Sequence, residues 1–229
     1  TAVSAYVVLT ILHLLSLTGI SLVSPSLILS RYPRRRPVLK SITEGLVYAY
    51  TTPSIAGVLV TSVVMNVMFQ YHLFIPVMAQ EYLHVGPALM GVLASADGIG
   101  TIIGALILSL SSNKIRHHGR IFMMGSIGTV TFLLFFAISP WYFLSFLLLV
   151  CLGMCQVGFS TMQSSILLME SPEEVHSRVF GAQQLAVGTG QLGSLQIGAM
   201  ATIIGLPITL AITAAIGLRE ARDLFALIR

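Results

Sequence analysis

Asp97 is the residue of this sequence best placed to do chemistry, because it is the one acidic side chain inside a long apolar run, Ala88–Ser111. A charge near the centre of a bilayer costs about 2.5–3.5 kcal/mol on insertion scales. The position is about nine residues in from the start of the run, so roughly 14 Å deep at about 1.5 Å per residue. Gly100 and Gly104 follow at i+3 and i+7, on the same helical face. Small residues on one face let helices approach closely, so Asp97 is expected to point into a bundle rather than at lipid. A carboxyl held there can exchange a proton or bind a cation as access alternates. It can equally serve as a structural acid, hydrogen-bonded to a neighbouring helix.

Amides form the second chemical feature. Asn66 and Gln70 lie at i, i+4; Gln156, Ser160 and Gln163 share a face, as do Gln184, Gly188 and Gln191. Amides left unpaired in hydrocarbon are costly, so these stripes are expected to look inward. They either line a polar cavity for a small-molecule ligand or join helices through contacts of about 0.6 kcal/mol each. Tyr71 and His72 are expected nearer the outer end, at the mouth of such a cavity or at the membrane interface. Cys151 and Cys155, at i, i+4 in one apolar run, suit packing better than a disulfide. No zinc spacing, phosphate loop or Ser/His/Asp set is present, and the basic neighbours of His117 and His118 argue against a metal there. Neither an enzyme nor a cofactor is expected.

The elements that must position these groups follow from composition. The 229 residues are 55% hydrophobic and 9% charged, with a mean hydropathy of +0.91. A soluble domain carries about 25% charged residues, so lipid must solvate much of this surface. Backbone groups in hydrocarbon need internal partners, which leaves helices or closed barrels. The unalternating Leu, Ile, Val, Met and Ala runs select helices.

Spans of about 20 apolar residues can be placed at Tyr6–Ser30, Pro53–Met78, Ala88–Ser111, Ile121–Ile138 and Trp141–Leu168. Two more come from the charge-free stretch Val179–Leu218, split at Gly205-Leu-Pro207, for a total of seven. With that count all twelve Lys and Arg fall on one side. The positive-inside rule then puts the C-terminus in the cytoplasm. The net charge of +4 therefore reports topology and contact with membrane lipid, not nucleic-acid binding. Residues 31–52 read as a basic, then amphipathic cytoplasmic linker, with Ile42, Leu46 and Tyr50 at helical spacing. The expected organisation is one helix over 1–30, this linker, a six-helix unit over 53–221 and a tail over 222–229. The odd count and the start at Thr1 suggest a piece of a longer polypeptide.

One span, a basic linker and six further spans resemble the C-terminal half of a major facilitator superfamily transporter, helices six to twelve. Glu44-Gly-Leu-Val-Tyr48 is similar to the linker end of the drug and siderophore exporter branch, which includes enterobactin exporters and macrolide efflux proteins. Gly91-Val-Leu-Ala-Ser-Ala-Asp-Gly98-Ile-Gly100-Thr-Ile-Ile-Gly104-Ala resembles its glycine-rich eighth helix. Pro172-Glu-Glu-Val-His-Ser-Arg178-Val-Phe-Gly181 resembles its loop between helices ten and eleven. The superfamily loop motif Gly-x-x-x-Asp-Arg-x-Gly-Arg-Arg is echoed by Asn113-Lys114-Ile-Arg116-His-His-Gly119-Arg120, with Asn113 where the acid would be.

The resemblance implies an all-α, major facilitator-type membrane bundle in the cell (inner) membrane. It implies proton-coupled efflux of a small amphipathic compound, with protons, that substrate and an N-terminal half of the same chain as partners. Asn113, Lys114, Arg116, Arg120 and Arg178, the last beside Glu170, Glu173 and Glu174, become candidates for cytoplasmic gating loops. The rival expectation, prompted by Asn113, is a transport-inactive subunit packed against other membrane proteins.

Overall fold

In a computed structural model, residues 2–22, 38–115 and 117–228 are described. Every regular element among the described residues is helical. The chain forms two compact units, residues 1–37 and 38–229. The first contains α1 (Ala2–Ser21). Its polar side chains bond back to their own backbone, Thr10 to Tyr6 O at 2.8 Å and Thr18 to Leu15 O at 2.8 Å, which lets them sit in an apolar helix without outside partners.

The second unit begins with α2 (Val38–Thr51) and α3 (Pro53–Met68). A 3₁₀ turn (Tyr71–Phe74), α4 (Ile75–Val77) and a π turn (Met78–Tyr82) prolong α3 into a broken helix. Then follow α5 (Pro87–Leu110), α6 (His118–Ala137), α7 (Tyr142–Glu170), α8 (His176–Gly188), α9 (Gly190–Ile204) and α10 (Leu206–Ile228). Four segments, Pro53–Tyr82, Pro87–Leu110, His118–Ala137 and Tyr142–Glu170, are long and apolar enough to cross a membrane.

The breaks have local causes. Pro76 lacks an N–H and its ring collides with the carbonyl four residues earlier, so the helix cannot run smoothly through Phe69–Ile75. The backbone leaves helical geometry at Phe69 (φ −117°, ψ 39°) and Gln70 (φ −84°, ψ 43°). The second break separates α8 from α9 at Gly188-Thr189-Gly190, where the Thr189 hydroxyl and N–H both turn to Ala186 O, at 2.6 and 3.3 Å. The first run reads as uninterrupted in the sequence, whereas Gly188, Gly190, Gly193 and Gly198 suggest some bending in the second, and both runs are interrupted here. Between α9 and α10, Gly205 adopts φ +83° and ψ 153°, a region open essentially to glycine. A Gly205→Ala variant is expected to unfold at lower temperature in detergent, with a strain of about 1–3 kcal/mol. An unchanged midpoint would refute that reading.

α7 lies between α5 and α6, while α10 packs on α6, α3 and α9, and α3 also meets α8 and α9. The fully buried Leu93, Leu133, Phe136, Leu149, Leu152 and Leu210 knit these layers together. Ile102, Leu106, Leu110, Leu195 and Ile203 are exposed, as side chains facing lipid tails should be. α2 buries Gly45 and Ala49, whereas Leu46 and Tyr50 of the expected amphipathic stripe are exposed. The reason is steric. Gly45 sits on the backbone of Arg178 in α8, where an added Cβ would lie 2.7 Å from its carbonyl oxygen, so the small-residue face is the one that docks.

Candidate functional site

The seam between α5 and α7 is made of backbone. An added Cβ on Gly104 would lie 2.9 Å from both Cα and O of Met154, and one on Gly100 would strike the Val150 carbonyl. From the opposite side, a Cβ on Gly153 would strike the Asp97 carbonyl and come within 2.8 Å of Asp97 Oδ1. Three glycines thus bring the helices together where Asp97 projects, and its side chain is left 15% exposed.

The broken helix supplies the partners. Tyr71, just past the unwound Phe69–Gln70 segment, is 1% exposed. Its hydroxyl lies 3.2 Å from Asp97 Oδ1 and 3.1 Å from Gln156 Oε1 of α7. His72 stacks on the Tyr71 ring, centroids 4.1 Å apart. Its Nδ1 is 3.7 Å from Asp97 Oδ2, and its side chain is 46% exposed. A carboxyl, a phenol, an amide and an imidazole from three helical segments therefore form one cluster. Each member of the set donates or accepts hydrogen bonds, so together they make a polar site in an apolar bundle.

A second polar pair lies on α3 and α7. Gln163, 4% exposed, donates from Nε2 to Ser62 Oγ at 2.6 Å, and Ser62 donates to Val58 O at 2.6 Å. The Gln163→Leu variant is expected to lose about 0.6–1.7 kcal/mol, the range of interhelical hydrogen bonds in membranes. Thermal unfolding in detergent reads this, and a more stable variant would contradict it.

The remaining predicted residues go elsewhere. Asn66 and Gln70 fold onto their own helix, Asn66 Nδ2 to Ser62 O at 2.8 Å and Gln70 Nε2 to Asn66 O at 3.2 Å. Asn66 precedes the break in α3 and Gln70 lies at it, where it meets the break between α8 and α9: an added Cβ on Gly190 would collide with Gln70 Nε2. Gln184 and Gln191 are exposed on α8 and α9, outside the Asp97 cluster. Gln183, one residue earlier, is the buried amide of α8, with its Oε1 unpartnered. Asn113 and Arg120 are exposed at the α5–α6 connection, and Arg178 is half-buried in α8. The Lys114 side chain, Arg116 and the Arg34–Arg36 run lie outside the described residues. Tyr71 was expected at the mouth or interface, yet it is the buried centre of the cluster. The available signal was the polar Gln70-Tyr71-His72 patch between an apolar helix and Pro76, which marks a place where a helix unwinds.

The apolar helical spans mark a multi-pass membrane bundle, and a family comparison gives its class. The chain belongs to the transmembrane secretion effector family of the major facilitator superfamily, whose family model matches residues 1–227. Among its relatives, the enterobactin exporter EntS of Escherichia coli O81 (strain ED1a) is 28% identical over 203 residues, covering 85% of this chain and 45% of that protein. EntS of Escherichia coli O1:K1 / APEC is 27% identical over 200 residues, with the same coverage. The chain thus spans about half the length of the curated relatives it matches. No solved structure matches it.

Proposed function

We propose that this chain is the second half of a secondary active exporter, which moves a small amphipathic compound out of the cell in exchange for protons. Asp97 would be the coupling carboxylate and the Tyr71–His72–Gln156 group its setting. The observation that carries the reading is the carboxylate itself: half-buried among helices, tied to the phenol of a discontinuous helix. Broken helices at the bilayer midplane are where secondary transporters place their binding sites. The proposed topology has seven spans in the inner membrane, with the basic loops and C-terminus cytoplasmic, and rocking of two halves as the transport motion. The likeness to enterobactin exporters supports a siderophore-like compound or an amphipathic drug as cargo.

Asn113, exposed where the superfamily loop carries an acid, favours a second reading, a transport-inactive subunit of a membrane complex. Everted vesicles containing the full-length chain, with whatever coding sequence precedes Thr1, separate the two. Enterobactin or erythromycin uptake that follows an imposed inside-acid gradient and collapses with a protonophore supports export. No gradient-dependent uptake of either compound sinks it in favour of the subunit.

A further inference from the structure

Tyr71 has one hydroxyl hydrogen and two acceptors within reach, Asp97 Oδ1 at 3.2 Å and Gln156 Oε1 at 3.1 Å. A phenol donates once, so it cannot serve both. The oxygen left out would face the phenol lone pair to lone pair, unless it carries a hydrogen of its own. Two arrangements satisfy all three groups when the Asp97 proton sits on Oδ1, the oxygen facing Tyr71, since a proton on Oδ2 would leave Oδ1 an acceptor and the Gln156 amide unturned. With Asp97 protonated, its O–H donates to Tyr71 Oη and Tyr71 donates to Gln156 Oε1. With Asp97 ionised, Tyr71 donates to the carboxylate, and Gln156 must turn its amide so that Nε2 donates to Tyr71 Oη. The amide oxygen and nitrogen exchange places by rotation about a soft terminal torsion. Gln156 is half-buried, and among the described residues Tyr71 is its hydrogen-bond partner. Its other end is thus available to a ligand.

We propose that Gln156 is a proton-operated binding switch: ionised Asp97 makes it present a carbonyl oxygen to the ligand, and protonated Asp97 makes it present N–H. This rests on the export reading above and gives it a coupling step. The ionised state accepts from a ligand hydroxyl or amide N–H. A proton arriving at Asp97 reverses the hydrogen-bond chain, turns the amide and sets donor against donor, so the ligand leaves. The ligand class is therefore a compound that carries hydroxyl or amide N–H donors on an apolar body. Atoms balance, since one proton is gained at Asp97, one hydroxyl hydrogen reorients and no bond to carbon changes.

The groups around Asp97 are consistent with a single switch. The broken helix turns Tyr71 and His72 toward it, and α7 presents Gly153 and, through Tyr71, Gln156. The α7 thiol of Cys155 faces α6, against Gly128, and α5 between Pro87 and Leu110 holds no second titratable side chain. A protonated His72 would favour the carboxylate, so the protonated Asp97 arrangement pairs with neutral His72.

The test is infrared difference spectroscopy between acid and alkaline pH. It uses the full-length chain in lipid nanodiscs, with glutamine ¹³C-labelled at the side-chain carbonyl. A carboxyl band lost in Asp97→Asn and a glutamine band lost in Gln156→Leu are expected to titrate together. In Tyr71→Phe the carboxyl should still titrate while the glutamine band stays still. A still glutamine band in the unmodified protein, or one that moves in Tyr71→Phe, overturns the switch. Should a variant fail to fold, separate midpoints for the two bands of the unmodified protein overturn it as well. Enterobactin uptake by vesicles is scored independently. Uptake with a still glutamine band leaves export standing without the switch, and a moving band without uptake does the reverse. In vesicles that do accumulate enterobactin, Gln156→Leu is expected to raise its KM about threefold to tenfold, the loss of one hydrogen bond. An unchanged KM removes the ligand contact.

Discussion

Asp97→Asn is expected to leave the protein folded in the membrane and to abolish gradient-driven accumulation. Asparagine is nearly isosteric, and its Oδ1 can still accept from the Tyr71 hydroxyl that lies 3.2 Å from the native carboxylate. Removing a charge that costs about 2.5–3.5 kcal/mol at the bilayer centre should not weaken the fold. What is lost is the exchangeable proton. Exchange of one proton across a gradient of one pH unit can sustain about a tenfold concentration ratio, because one unit corresponds to about 1.4 kcal/mol. In everted vesicles the variant should therefore bring that ratio back to about one, while facilitated equilibration persists. Full accumulation by the variant would remove Asp97 from coupling and leave it a structural acid.

Gly100→Leu should be among the more damaging single changes in the bundle. The new Cβ would meet the Val150 main chain, 2.8 Å from its carbonyl carbon and 3.0 Å from its Cα. A flexible side chain can swing aside, but the backbone of a packed helix cannot. α5 and α7 must separate, at a cost at or above the about 1–3 kcal/mol usual for overpacking. Separation would also lift Asp97 from Gly153 and pull it out of register with Tyr71 and Gln156. Gly98→Leu is a control on the same helix, because a Cβ at Gly98 meets nothing within 4 Å. Thermal unfolding and monodispersity of the purified proteins should show a large loss for the first and little for the second. Equal losses would mean that glycine composition matters here, not the seam.

Much of this layout is local and can be read along the chain. Gly100 and Gly104 share a face with Asp97 because a helix repeats about every 3.6 residues, so the buried side of α5 follows from spacing. The ends at Ser139-Pro140 and Gly205-Leu-Pro207 mark real helix boundaries for the same local reason. The amides are another matter. Asn66 and Gln70 look like a cavity stripe by spacing, yet each donates to a carbonyl one turn back, a choice that spacing cannot disclose. Gln163 finds Ser62, and Gln156 finds Tyr71. These are partners far away in sequence, brought together by packing.

By itself the sequence determined that lipid is the solvent, that helices are the only economical backbone and that Asp97 is the anomalous charge, since these follow from composition and period. The tertiary structure alone decided what Asp97 touches. Tyr71 reaches it only because the helix beginning at Pro53 unwinds at Phe69–Gln70, and because three glycines let α5 and α7 close to backbone contact. A hydrogen bond between residues 26 apart in sequence depends on where a break and a seam coincide in space, and no period along one chain encodes that coincidence.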